Sequence, residues 1–313
     1  MSFIATVSAS KGFAIIADSL EVPESPLKEY TLLSDYMHTL NSQDRSEDIL
    51  YPPNLWLLSP QERAETEQLY REDHAEKLFP MGPFSAIAAT RILSINDKGL
   101  YELIEEFMEI RKKQANPAWG FTAMLNGFCN FLNREIKIHL KNYCYLNGSL
   151  LIMAQYDVRA MRTNTCKILI RDRHFDSPNY ADNYLLLRQN SSTILLSGQT
   201  HISKAFLLGI ERASFRDVYK LVRNIIGRIH SADNRLPGEF MHTLRYDRFY
   251  QYLFSQELKT IDIANMSTQQ AVDLASMLMR LEIDYFKFTK TDPHVGGVIR
   301  LAVVDEEGFR YIR

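Results

Sequence analysis

Residues 1–19 read MSFIATVSASKGFAIIADS, and this stretch decides the fold. Residues 3–9 and 12–18 are two short runs rich in apolar and β-branched side chains. Between them Ser10-Lys11-Gly12 is a turn signal, so the stretch predicts an antiparallel hairpin. Its first strand begins at Ser2. If Met1 is removed, Ser2 carries a hydroxyl and a free α-amine on one residue. An α-amine titrates at about pH 7.7–8.0, so part of it is neutral at physiological pH. A neutral amine can take the proton of its own hydroxyl, which is one route to a nucleophile.

Working outward, residues 21–76 change character, with Pro23, Pro26, Pro52, Pro53 and Pro60 among many charges. One helix is predicted there, from Ser59 as N-cap with Pro60 at the first helical position to about residue 69. A third strand is predicted at about 84–94. Two helices follow. Residues 97–113 place Leu100, Leu103, Ile104, Phe107 and Ile110 on one face, and residues 118–141 repeat the spacing from Phe121 to Leu140. Strands return at 149–157, 165–171 and 193–197. Helices are predicted at about 201–211, 215–230 and 268–286, and a last hairpin at 297–305 and 308–312. Strands and helices grouped in this way predict an α+β layered fold.

The chain has 313 residues, 46% of them hydrophobic, enough for one large core. No Pro/Gly/Ser-rich linker divides it, which predicts one domain over 1–313. Its net charge of −2 and pI near 6.5 leave no electrostatic footprint for nucleic acid. The aromatic and basic tract at 245–254 is read as a helix packed on the body or on another subunit, not as a base-stacking surface. Cys129, Cys144 and Cys166 show no CxxC spacing and read as buried thiols of a reducing compartment. The N-terminus has no basic n-region, and no run reaches the roughly 18 apolar residues of a membrane span. These features predict a cytoplasmic protein. His74, His201 and His294 lack any compact ligand spacing, and no Walker A or GxGxxG motif occurs, so neither metal nor cofactor is expected.

Five pieces of the chain, in order, resemble proteasome β-type subunits, members of the N-terminal nucleophile hydrolases. The first is Lys11-Gly12-Phe13-Ala14-Ile15-Ile16-Ala17-Asp18-Ser19. The second is 77–84, KLFPMGPF. The third is Tyr156-Asp157 at a strand end, and the fourth is Leu196-Ser197-Gly198 before a helix. The fifth runs from Ala271 through Asp292-Pro293-His294-Val295-Gly296-Gly297 to Phe309. The resemblance covers about two-thirds of the sequence. It implies a four-layer αββα sandwich carrying two large insertions, at about 21–76 and 214–265.

The resemblance also implies site residues. Ser2 takes the nucleophile position, Lys77 that of the catalytic lysine, and Asp18 that of the carboxylate paired with it. Ser197 and Asp292 hold the α-amine, and the backbone N–H of Arg91 is the oxyanion donor. The chain departs from the family in four ways. It has Ser2 where the family has threonine, and Val295 where it has a serine. No glycine occurs in Ala88-Ala89-Thr90-Arg91, and only Met1 stands in front of the nucleophile. The activity implied is peptide-bond hydrolysis through an acyl-enzyme. An inactive proteasome-like scaffold for assembly or binding, and a small-amide hydrolase of the same fold, are the alternatives. The partners implied are peptide or protein substrates and further copies of the chain in a ring or helical stack. An ATP-dependent unfoldase is compatible with that assembly.

Overall fold

The computed structural model describes residues 2–20, 75–113, 120–143, 145–171, 173–174, 184–189, 194–208, 217, 219–224, 261–288 and 295–312. The helix expected at 59–69, most of both insertions and most of the helix expected at 215–230 lie outside the described residues. So do the 245–254 tract, Asp292, His74, His294 and Cys144.

Fourteen strands are described. They are β1 (Phe3–Ala9), β2 (Gly12–Ala17), β3 (Leu78–Pro80), β4 (Ser85–Ala89), β5 (Ser94–Ile95), β6 (Lys98–Gly99), β7 (Tyr145–Leu146), β8 (Ser149–Asp157), β9 (Arg162–Ile170), β10 (Arg173–His174), β11 (Tyr184–Gln189), β12 (Ile194–Gly198), β13 (Arg300–Asp305) and β14 (Gly308–Ile312). Among the described residues the α-helices include α1 (Leu100–Lys112), α2 (Phe121–Asn142), α3 (His201–Leu208) and α4 (Thr268–Lys287). Two five-stranded sheets dominate, ordered β12-β1-β2-β13-β14 and β11-β9-β8-β4-β3, and every pairing within them is antiparallel.

Every residue of β1 and β2 is buried, because both faces of that sheet are covered. Alternation sorts the side chains into two cores. Phe3, Ala5 and Val7 of β1 join Ala275, Leu278 and Met279 of α4 in one apolar cluster. Ile4 of β1 faces the other way and joins Phe13, Ile15, Ile152, Ala154 and Tyr156 between the sheets. On its far face the second sheet packs against α1 and α2 through Ile87, Met153, Ile168, Phe107, Phe128 and Leu132. The architecture is therefore mixed α+β, with antiparallel sheets facing each other and helices outside.

The expected strand at 84–94 is shorter, ending at Ala89. Beyond it Asn96 and Asp97 adopt φ of 54° and 60° and close a small β5–β6 hairpin. The backbone N–H of Asn96 donates to His139 Nδ1 at 3.0 Å, which ties that turn to α2. The hairpin uses residues 98–99, so α1 starts at Leu100 and not at 97. The Glu102 carboxylate accepts the Gly99 N–H at 2.6 Å across that start. The three-residue β3 has no pattern long enough to read from sequence. Cys129 and Cys166 are buried thiols in the helix-side core. Among the described residues no helix is long and apolar enough to cross a membrane.

Candidate functional site

Pairing of β1 with β2 and with β12 brings three distant pieces of chain to the start of β1. Ile4 lies opposite Ala17 on one side and opposite Ser197 on the other. Ser2 therefore stands at the mouth between the strand that leads into Asp18 and the strand that ends in Gly198. Its backbone carbonyl accepts the Gln199 N–H at 2.7 Å. Ser2 points to the same face as Ile4, toward the opposing sheet.

From that sheet comes Lys77, one residue before β3. Its Nζ donates to Ser2 Oγ at 2.6 Å and also to the Leu20 carbonyl. Ser2 Oγ in turn lies 3.4 Å from the same Leu20 carbonyl, to which it donates. Ser2 and Lys77 are each 1% exposed. A buried ammonium needs acceptors, and here a hydroxyl and a peptide carbonyl serve. Lys77 is itself held by backbone, since its carbonyl accepts the Ala89 N–H at 2.8 Å.

Asp18 is equally buried. Its Oδ1 accepts the Phe3 N–H at 2.9 Å and its Oδ2 accepts the Gly296 N–H at 3.2 Å. The carboxylate thus ties the start of β1 to the Gly296-Gly297 loop. That loop clamps the next residues too. The Gly296 carbonyl accepts the N–H groups of Ser19 (3.2 Å) and Leu20 (3.1 Å), and Ser19 Oγ accepts the Val298 N–H at 2.6 Å. These bonds fix the Leu20 carbonyl that Lys77 and Ser2 share.

Ser197 occupies β12 beside this cluster. It is 4% exposed, and its Oγ is a buried polar atom with no hydrogen-bond partner among the described residues. Such atoms are rare and call for a function or a ligand. Val295, at the position where the resemblance has a serine, is buried in the apolar cluster with Phe3 and α4. Arg91 stands two residues past β4, partly exposed, with its carbonyl 3.5 Å from Ser149 Oγ. The Oγ1 of its neighbour Thr90 accepts the Leu150 N–H at 3.1 Å.

Three of the residues singled out from sequence, Ser2, Lys77 and Asp18, meet at one corner, and Ser197 adjoins them. Asp292 lies outside the described residues. Sequence reasoning missed the Leu20 carbonyl, Ser19, Gln199 and Lys167. The Leu20 carbonyl and the Gln199 N–H are main-chain groups that no side-chain pattern marks, while Ser19 acts through both its N–H and its Oγ. Lys167 reads from sequence as one polar position in an alternating strand. In the fold its Nζ crosses from β9 to donate to the Leu196 carbonyl at 2.7 Å. Burial, with the nearby Lys204 cation, pushes the Lys167 ammonium down to about 8. Among the described residues no group of His, Cys, Asp and Glu side chains is arranged to hold a metal. No protein-family profile matches the chain, and no curated protein is significantly similar to it.

Proposed function

We propose that the chain is an N-terminal nucleophile hydrolase of proteasome β-like type, folded as a four-layer αββα sandwich, which cleaves peptide bonds through Ser2 after removal of Met1. The observation that carries the reading is the 2.6 Å contact between Lys77 Nζ and Ser2 Oγ, two buried groups 75 residues apart. A cation on a hydroxyl stabilises the alkoxide that forms as the proton leaves. In this reading the Ser2 α-amine takes that proton. Ser2 Oγ bonds to the carbonyl carbon, the scissile C–N bond breaks, and the proton passes to the departing amine. Water then cleaves the acyl-enzyme by the same path. Asp18 orients Lys77, while Ser197 and Asp292 hold the amine. The orphan hydroxyl of Ser197 fits a group that awaits such a donor. The Arg91 N–H serves the oxyanion. The compartment is the cytoplasm, and copies of the chain assemble in a ring or helical stack.

Two observations favour the inactive-scaffold alternative: Ser2 is 1% exposed, and Val295 is sealed into the core. An acylating β-lactone probe, read by peptide mass mapping, separates the two. The hydrolase reading requires an adduct on Ser2 in protein lacking Met1, and loss of both adduct and turnover in Ser2→Ala with the fold intact. Full activity in Ser2→Ala, or no adduct on Met1-free protein, would sink it.

A further inference from the structure

Lys167 is a partly buried cation, and among the described residues no carboxylate pairs with it. Its strand neighbours Cys166 and Ile168 belong to the helix-side core, so Lys167 points the other way, toward the first sheet. There Nζ meets the Leu196 carbonyl at 2.7 Å, and no ion pair joins it to an acidic side chain among the described residues. An ammonium has three donors, and a single carbonyl leaves two of them. Next in the chain is Ser197. It shares the inter-sheet face of Leu195, with its hydroxyl buried and without a partner among the described residues. The following residue, Gly198, is exposed, so this corner is open to solvent at that point. The Lys204 cation on α3 lies close enough to depress Lys167 further. A partly buried ammonium with donors to spare, beside a hydroxyl that lacks a partner among the described residues, suits an anion that accepts from both.

We propose that Lys167 and Ser197 form a carboxylate-binding subsite beside Ser2, so that the chain selects peptides bearing an acidic group close to the bond that Ser2 attacks. The substrate class deepens the hydrolase reading and rests on it, but binding at the subsite needs no turnover. The carboxylate accepts from the remaining Lys167 donors and from the Ser197 O–H in a charge-assisted contact, while the Ser197 oxygen keeps its lone pairs for the Ser2 amine of the hydrolase reading. Binding an anion there also favours the charged lysine, so the complex takes up protons near pH 8.

The test uses Ser2→Ala protein, which binds without cleaving. Alanine hexapeptides carry glutamate or glutamine at one position at a time, and dissociation constants are measured by calorimetry. At one position glutamate is expected to bind at least tenfold tighter than glutamine. Lys167→Met brings that ratio close to one, and Lys167→Arg keeps most of it. Equal binding of the two peptides at all positions overturns the proposal. So does a preference that survives Lys167→Met, or one that is lost in Arg91→Met instead. If Lys167→Met fails to fold, buffers of different ionisation enthalpy decide on the Ser2→Ala protein alone. Glutamate peptide should take up as much as about half a proton at pH 8 and glutamine peptide none; equal uptake overturns the proposal. A missing Ser2 adduct would sink the hydrolase reading while leaving these binding results intact.

Discussion

At Gly198 the backbone sits at φ +86°, and a Cβ built there falls 1.7 Å from the Ser2 carbonyl oxygen. Both the dihedral and the contact exclude any other residue without movement of β1 or β12. Gly198→Ala is therefore expected to destabilise the fold by about 2 kcal/mol or more, read from urea unfolding. It should also displace Ser2, so any Ser2 adduct falls with it. A stable Gly198→Ala protein with an unchanged adduct rate would contradict this geometry. At Lys167 the folded protein prefers the neutral form, because its pKa of about 8 lies below the ordinary 10.5. The penalty for the charge is complete below pH 8 and is lost as pH rises from 8 toward 10.5. The wild type should thus gain stability relative to Lys167→Met across that interval, whatever their difference at pH 7. Melting temperatures at pH 7, 8, 9 and 10 check the slope, and a constant difference would refute it. The Cys129 thiol is pushed up to about 12 by burial beside Cys166. In native protein at pH 8 it should resist iodoacetamide, and unfolded protein should label fully.

At the scale of elements, α4 is defined at its start by chemistry that the sequence spells out. Ser267 Oγ accepts the Gln270 N–H at 3.2 Å, and Gln270 Oε1 accepts the Ser267 N–H at 2.8 Å. This capping box starts the helix whose Ala275, Leu278 and Met279 cover β1 and β2. Ser267→Ala should cost about 1 kcal/mol by chemical denaturation and leave Ser2 chemistry unchanged, since the cap is remote from the site. The strand that the sequence overextends, 84–94, shows the opposite case. Its apolar run continues past Ala89, yet Leu93 and Ile95 are buried from a separate hairpin. An apolar residue signals burial in either setting. The turn at Asn96-Asp97 depends on bonds to α2 that arrive from 39 and 43 residues away.

For the whole molecule, the layer between the sheets sets the position of the site. Ile152, Ile15 and Ile4 are fully buried there, and the two sheets carry Lys77 and Ser2 to each other across it. Ile152→Ala should cost about 2–5 kcal/mol through lost transfer energy and the cavity left behind. Because that cavity lies between the sheets, the Lys77–Ser2 contact should loosen as well. The expected result is a slower Ser2 adduct at a temperature where the variant is still folded. A variant that loses stability but keeps its adduct rate would show that the corner is held by its backbone bonds alone.

The sequence by itself determined the local elements. Periodicity marked β1, β2, β8, α1, α2 and α4, because one-sided or two-sided burial writes itself into side-chain spacing. It also marked Ser2, Lys77, Asp18 and Ser197, through the register of a resemblance. The tertiary structure alone decided which of these meet. The Leu20 carbonyl, the Gly296 clamp and the Gln199 N–H are main-chain groups, identical in every residue, and only the fold selects them. Lys167 is an ordinary strand lysine until the first sheet packs against its own and brings the Leu196 carbonyl to it. Contacts of this kind join residues as far as 278 positions apart, and no local pattern encodes a distance that only sheet packing sets.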